Sequence, residues 1–263
     1  MSDDAETFGR WRLDALIAVG GLGEVWRARS IEDAEVVVAL KRLHAHLLRH
    51  EEARAMFERE QQLAVALPRH PNLVHAVAAG AVDGRPFVAL ELARGGDLRD
   101  AAKAPMPRQR AIEIVARASG AAAHLHAHKH VHGDINLSNV IVSGDGDAPA
   151  VVLVDLGVAR KVGEGGPVRG THAYMAPEQV RGEAWTPATD VFALGVLLWE
   201  LAAGARLFHR GPPWLSAAAV VEADVPPLAD RELDAIARAA LVKDPTRRTQ
   251  TAAELAAQLR ALL

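Results

Sequence analysis

The sequence predicts an α+β fold in two parts, a small β-rich N-terminal part with one helix and a larger, mainly helical C-terminal part. Three observations carry this. Short apolar runs broken by glycines and polar turns fill residues from about 11 to 42. A single helical pattern at about 51–67 interrupts them. After Gly95-Gly96, long apolar segments of helical period dominate.

Taken in order, WRLDALIAV, EVWRAR and EVVVALKRL read as strands separated by Gly20, Gly21 and Gly23 and by a polar turn at 30–33. The helix at 51–67 follows. LVHAVAAG and RPFVALEL form two further strand candidates, divided by the Asp83-Gly84 turn signal. Helices are predicted at roughly 108–128, 187–203, 231–242 and 251–262, with short strands near 140–142 and 151–154. Two helix starts are marked chemically: Thr186-Pro187 puts a capping hydroxyl before a proline at the first helical position, and Thr251 with Glu254 makes a capping-box pattern.

Composition removes several classes. With 263 residues, half of them hydrophobic, and a net charge of −3, the chain can bury a sizeable core and is not a disordered polymer. Its longest apolar stretch, about nine residues at 191–199, is well short of the roughly 20 that a membrane span needs. A sequence pI near 6.5 gives no global attraction to nucleic acid. The acidic start is unlike a signal peptide. Zero cysteines exclude disulfides and thiolate metal sites and point to a reducing, cytoplasmic setting.

Chemistry concentrates in four places. The run Ala18-Val19-Gly20-Gly21-Leu22-Gly23-Glu24-Val25 sits between two strands, where glycines let backbone amides approach a phosphate or simply make a turn. Lys41 is one of only five lysines and the only one in the first 102 residues; on a pleated strand it shares a face with Val37 and Ala39. Glu60 falls with Met56, Leu63 and Leu67 on one helical stripe, so its charge needs a partner: Lys41, or else Arg54 or Arg59. His132-Gly133-Asp134-Ile135-Asn136-Leu137-Ser138-Asn139 is a polar loop before a strand, and Asp155 follows another strand and precedes Gly157. Two carboxylates and an amide oxygen at strand ends suit Mg²⁺ ligation completed by phosphate; two unrelated Asx turns are the plain alternative.

These segments, in this order and over about 10–260, resemble the protein kinases, and the wording of 170–178 is closest to the bacterial serine/threonine (Hanks-type) kinases. The resemblance rests on Gly20, Gly23 and Val25, on Val38-Ala39-Leu40-Lys41, on Glu60, on His132, Asp134 and Asn139, on Asp155-Leu156-Gly157 and on Ala176-Pro177-Glu178. Asp190 resembles the aspartate that braces the catalytic loop, and Arg248 the arginine that pairs with Glu178. It implies a bilobal protein-kinase-like fold filling 1–263 as one domain, with an N-lobe at about 10–91, a hinge at about 91–95 and a C-lobe at about 96–263.

The resemblance also implies phosphoryl transfer from ATP to Ser or Thr of a protein substrate whose identity is not encoded here. Lys41, held by Glu60, would bind the α/β-phosphates under the loop Ala18, Val19, Gly20, Gly21 and Gly23. Asn139 and Asp155 would hold Mg²⁺, with Mn²⁺ able to replace it, and Asp134 would take the substrate's proton beside Thr171. Val25, Ala39, Glu91 and Ala93 would line the adenine slot, with Leu90 at its back.

Departures from the pattern matter. Ala18 stands for a glycine and Leu156 for a phenylalanine. Gly133 replaces the arginine that grips a phosphorylated activation loop, and residues 158–169 contain no Ser, Thr or Tyr; the two absences agree. Asn136 replaces the usual loop lysine, which predicts a slow enzyme, since losing one preorganised donor costs on the order of 10²–10³ in rate. Two other readings compete: a pseudokinase that binds nucleotide or a partner, and a small-molecule kinase of the aminoglycoside or choline type. The complete set of polar residues opposes the first, and the segment at 170–178 opposes the second. In the histidine run 124, 126, 128, 130 and 132, only His124 and His128 can share a helical face and His132 belongs to the catalytic-loop resemblance, so the run reads as solvated side chains rather than a metal site.

Overall fold

A computed structural model describes residues 6–99, 103–166 and 170–263. The chain divides into two compact units, one comprising the chain to Arg69 together with Val74–Ala93, the other His70–Leu73 together with Arg94–Leu263.

The first unit is a six-stranded antiparallel sheet with one helix. Its strands are β1 (Thr7–Phe8), β2 (Trp11–Val19), β3 (Gly23–Ser30), β4 (Val37–Leu43), β5 (Ala76–Val82) and β6 (Arg85–Glu91). Their order in the sheet is β1-β2-β3-β4-β6-β5. Period-2 alternation decides what each face does. Val38 and Leu40 of β4 join Trp11, Leu13, Ala28, Phe87 and Ala89 in a core on one face. Val37, Ala39 and Lys41 therefore lie on the other.

Helix α1 (Glu51–Ala66) follows a single 3-10 turn at Ala45–Leu47. Its buried face is Ala53, Phe57, Glu60 and Ala64. Glu60 lies on the buried stripe as the spacing predicts, but the stripe is turned by about one residue: Phe57 rather than Met56 is its large apolar anchor, and Met56 and Leu63 are only partly buried.

The second unit is built on helices α2 (Arg108–Ala127), α3 (Pro177–Val180), α4 (Pro187–Ala203), α5 (Pro213–Glu222), α6 (Arg231–Ala240) and α7 (Ala252–Arg260). Helix α4 is buried on all sides from Ala188 to Leu201, as a helix apolar all round must be, and it packs against α2, α6 and α7. Gly195 is the contact with α6: a Cβ there would lie 2.8 Å from the Ala240 methyl. The cap at Thr251 forms as expected, its hydroxyl accepting from the Glu254 N–H at 3.1 Å. At Thr186 the bond runs the other way, the Thr189 hydroxyl accepting from the Thr186 N–H at 3.1 Å.

Short strands complete this unit: β7 (Gly96–Asp97), β8 (His130–Val131), β9 (Val140–Ser143), β10 (Ala150–Leu153) and β11 (Arg160–Lys161). They form a β10-β9-β7 sheet and a β11-β8 ribbon. Helices α3 and α5 were not anticipated. Pro212-Pro213 reads as a breaker, yet Pro213 occupies the first helical position, where a missing N–H costs nothing. Two-residue strands carry no periodicity to read.

Candidate active site

The first unit supplies a loop and an ion pair. Loop 20–22 closes the β2–β3 hairpin, with the Gly20 N–H donating to the Gly23 carbonyl at 2.8 Å. The glycines differ in what demands them. Gly23 is forced by the fold, since a Cβ would sit 2.3 Å from the Arg42 carbonyl oxygen. Gly20 and Gly21 have neither a crowding neighbour nor a positive φ, so nothing within the described chain requires glycine there. Ala18 and Val19 pair with Val25 and Glu24 across the hairpin.

Lys41 lies mid-sheet, between Val25 on β3 and Val88 on β6. Its ammonium meets Glu60 Oε1 at 2.5 Å, with only 13% and 4% of the two side chains exposed. Arg54, one of the two alternative partners, instead pairs with Glu58 at 2.8 Å. Ala39 and Leu90 face each other across β4 and β6, and Leu90 is buried. The Glu91 N–H donates to the His75 carbonyl at 2.9 Å, while its carboxylate pairs with Arg69. Ala93 is the last residue of this unit.

The second unit gathers Asp134, Asn136, Asn139 and Thr171 into one hydrogen-bonded cluster. Asp134 Oδ1 accepts from the Thr171 N–H at 2.9 Å and from Asn136 Nδ2 at 3.0 Å. Asn139 Nδ2 donates to Asp134 Oδ2 at 3.2 Å and to the Asp134 carbonyl at 2.9 Å. Asn136 Nδ2 also lies 3.0 Å from Thr171 Oγ1, and Asn136 Oδ1 accepts from the Ser138 N–H at 2.8 Å. Burial pushes the Asp134 carboxyl above the ordinary aspartate range, against the pull of the Thr171 N–H and of His132.

Beneath this cluster lies a rigid base. Asp190, wholly buried on α4, accepts from the N–H groups of His132 and Gly133, both at 2.8 Å, and faces His126 Nε2 at 2.8 Å. Burial pushes its carboxyl up, but the bond from His126 and the neighbouring imidazoles outweigh it and hold it below the ordinary range. His132 Nε2 reaches the Val154 carbonyl at 3.2 Å, and Gln179 Nε2 donates to the Gly133 carbonyl at 2.9 Å. Gly133 has φ +76°, and a Cβ there would lie 2.3 Å from the Trp185 ring. The Arg248–Glu178 pair forms in full, Nη1 to Oε1 at 2.8 Å and Nη2 to Oε2 at 3.0 Å, with 0% and 2% of the side chains exposed.

Solvation does not describe His126 in the histidine run. His132 is fully buried and the His126 side chain is 8% exposed, each tied into the base just described. His124 and His128 do share a face, their rings 4.6 Å apart, and His70 stacks on His124 at 5.0 Å. The role of His126 was invisible in the sequence because its partner lies 64 residues away.

For a divalent cation the donor set fits. Asn139 commits its amide nitrogen to Asp134, which leaves its amide oxygen as a hard ligand. Asp155 follows β10 at φ +66°, with Oδ1 accepting from the Gly157 N–H at 3.2 Å. Among the described residues no cluster of three or more His, Asp or Glu is placed to hold a metal.

The family model of the protein kinase domain matches residues 11–258. The chain therefore belongs to the protein kinase family, and its relatives place it with the bacterial serine/threonine kinases. It is 35% identical over 268 residues to serine/threonine-protein kinase PknB of Mycobacterium leprae, covering 95% of this chain and 42% of that protein. It is 33% identical over 266 residues to PknJ of Mycobacterium tuberculosis, covering 95% of this chain and 44% of that protein. The chain thus spans less than half the length of these curated relatives. Protein kinases as a class use ATP and Mg²⁺. No helix among the described residues is long and apolar enough to cross a membrane.

Proposed function

We propose that this chain is one kinase domain, with its hinge at about 91–95, that transfers the γ-phosphoryl group of ATP to a Ser or Thr hydroxyl of a protein substrate. The observation that carries the reading is the Asp134 carboxylate, held by three donors in one orientation beside the amide of Asn139. A carboxylate so fixed, with its pKa raised, is suited to accept a hydroxyl proton as a general base. The substrate oxygen bonds to the γ-phosphorus, the bond from that phosphorus to the β–γ bridging oxygen breaks, the proton passes to Asp134 and ADP departs.

Lys41, fixed by Glu60, neutralises the α/β-phosphates. Glycine at 20 and 21, which the chain's own packing does not require, supports close approach of phosphate to backbone. Mg²⁺, when bound by Asn139 and Asp155, supplies charge neutralisation on the transferring group, and Mn²⁺ substitutes for it. Val25, Ala39, Leu90, Glu91 and Ala93 line the adenine slot.

Turnover is slow, because Asn136 spends its amide on Asp134 and Thr171 and brings no cation to the phosphoryl group. Activity does not depend on phosphorylation of 158–169, part of which lies outside the described residues. The described part is already fastened: β11 pairs with β8, the Gly163 N–H donates to the Trp185 carbonyl at 2.8 Å, and Arg160 lies over the Trp185 ring. Tyr174 is no substitute phosphosite, being buried with its hydroxyl donated to Glu200 at 2.5 Å.

The test is transfer of labelled phosphate from ATP to a generic basic protein by wild type, Asp134→Asn and Lys41→Met. Labelling abolished by both changes supports the kinase. ATP binding without transfer in wild type favours a pseudokinase, and labelling confined to small amines or alcohols favours a small-molecule kinase.

A further inference from the structure

The connection from β4 to α1 contains a histidine with no place in the kinase resemblance. His44 Nε2 lies 2.8 Å from the Gly20 carbonyl oxygen, and the His44 N–H donates to the Leu22 carbonyl at 2.9 Å. A carbonyl only accepts, so Nε2 carries the proton. His46 stacks on the His44 ring with centroids 5.2 Å apart, steadying it. Two of the three carbonyls of loop 20–22, those of Gly20 and Leu22, are thereby held by one residue, while Gly20 N–H is spent on Gly23. Among the described residues the N–H groups of Gly21 and Leu22 donate to nothing. A short loop with two of its three acceptors engaged and two of its three donors free is suited to an anion.

We infer that His44 is a positioning residue for nucleotide binding: by holding the Gly20 carbonyl it keeps the glycine turn in the form that offers its amides to the phosphates of ATP. The inference rests on the kinase reading above but goes beyond it, because His44 touches neither nucleotide nor reacting atoms. Without the side-chain bond the Leu22 anchor remains, so the turn survives but samples conformations in which the Gly20 carbonyl swings back and repels phosphate.

Three variants test this: His44→Ala, His44→Gln and His44→Asn. Glutamine places an amide nitrogen near the reach of Nε2, and asparagine only near that of Nδ1. His44→Ala should raise KM for ATP by roughly 3- to 10-fold, the loss of one modest hydrogen bond, while KM for the protein substrate and kcat change less than about twofold. His44→Gln should restore KM and His44→Asn should not. Hydrogen exchange of the segment 17–25 should quicken in His44→Ala and His44→Asn only. Unchanged ATP KM in His44→Ala, equal rescue by both amides, or equal shifts in both KM values would overturn the inference. Wild type that binds no ATP would overturn the kinase reading instead, and the exchange measurement would still judge the pin.

Discussion

Asn136 is 3% exposed and its amide is divided between Asp134 and Thr171. On the proposed function, lysine at this position brings a cation to the developing phosphoryl charge, so Asn136→Lys should raise kcat by at least about tenfold. Unchanged turnover in steady-state assays would mean that this position does not face the phosphates. Asn136→Ala should do the opposite, lowering kcat while leaving KM for ATP in place, because the base loses one of its three donors. The titration of Asp134 makes a second prediction. Burial raises its pKa, so the proton leaves later than from an ordinary aspartate of about 4. The base is active only when ionised, hence kcat/KM falls as pH drops through that raised value. A pH–rate profile whose acid limb has its midpoint at or below 4 would contradict the role given to Asp134. Each of these residues was legible in the sequence by type and spacing. Their mutual hydrogen bonds were not, because Thr171 and Asn136 are 35 positions apart.

At the scale of elements, Glu178 at the start of α3 and Arg248 before α7 form the pair that joins the end of the activation segment to the helical core. Arg248 Nη1 also donates to the Ala188 carbonyl at 2.7 Å and Nε to the Val242 carbonyl at 2.9 Å. Removing one partner of such a buried pair leaves the other charged and desolvated, at a cost of about 3–5 kcal/mol. Arg248→Ala should therefore lower the thermal midpoint by at least about 6 °C in a calorimetric scan. A shift under 2 °C would show that solvent reaches Glu178. Helices α2, α4, α6 and α7 were readable because each is long and periodic, and α4 announced its burial by being apolar on every side. Helix α5 was not, because a double proline hides its start. The face of α1 was placed one residue out: Phe57 outcompetes Met56 for the sheet, and only packing volume decides between neighbours on a helix.

For the whole molecule, the proposed nucleotide binding predicts linked stabilisation. ATP with Mg²⁺ at a hundredfold excess over Kd should raise the free energy of unfolding by about 2.7 kcal/mol, and the thermal midpoint with it. Lys41→Met should weaken that gain with or without metal, whereas Asp155→Asn should remove only its dependence on Mg²⁺. Undiminished dependence on Mg²⁺ in Asp155→Asn would separate Asp155 from the cation. The sequence by itself determined the division into a sheet-rich and a helical part, the order of the motifs and the identity of the charged groups, since these follow from periodicity, glycine placement and residue chemistry along the chain. Tertiary structure alone decided which atoms are satisfied by which. Glu60 takes Lys41 rather than Arg54, His126 serves Asp190, Gly23 answers to a neighbouring strand while Gly20 and Gly21 do not, and His44 holds the loop before it. Such choices depend on distances of a few ångströms between residues far apart in the chain, and local propensity contains no information about them.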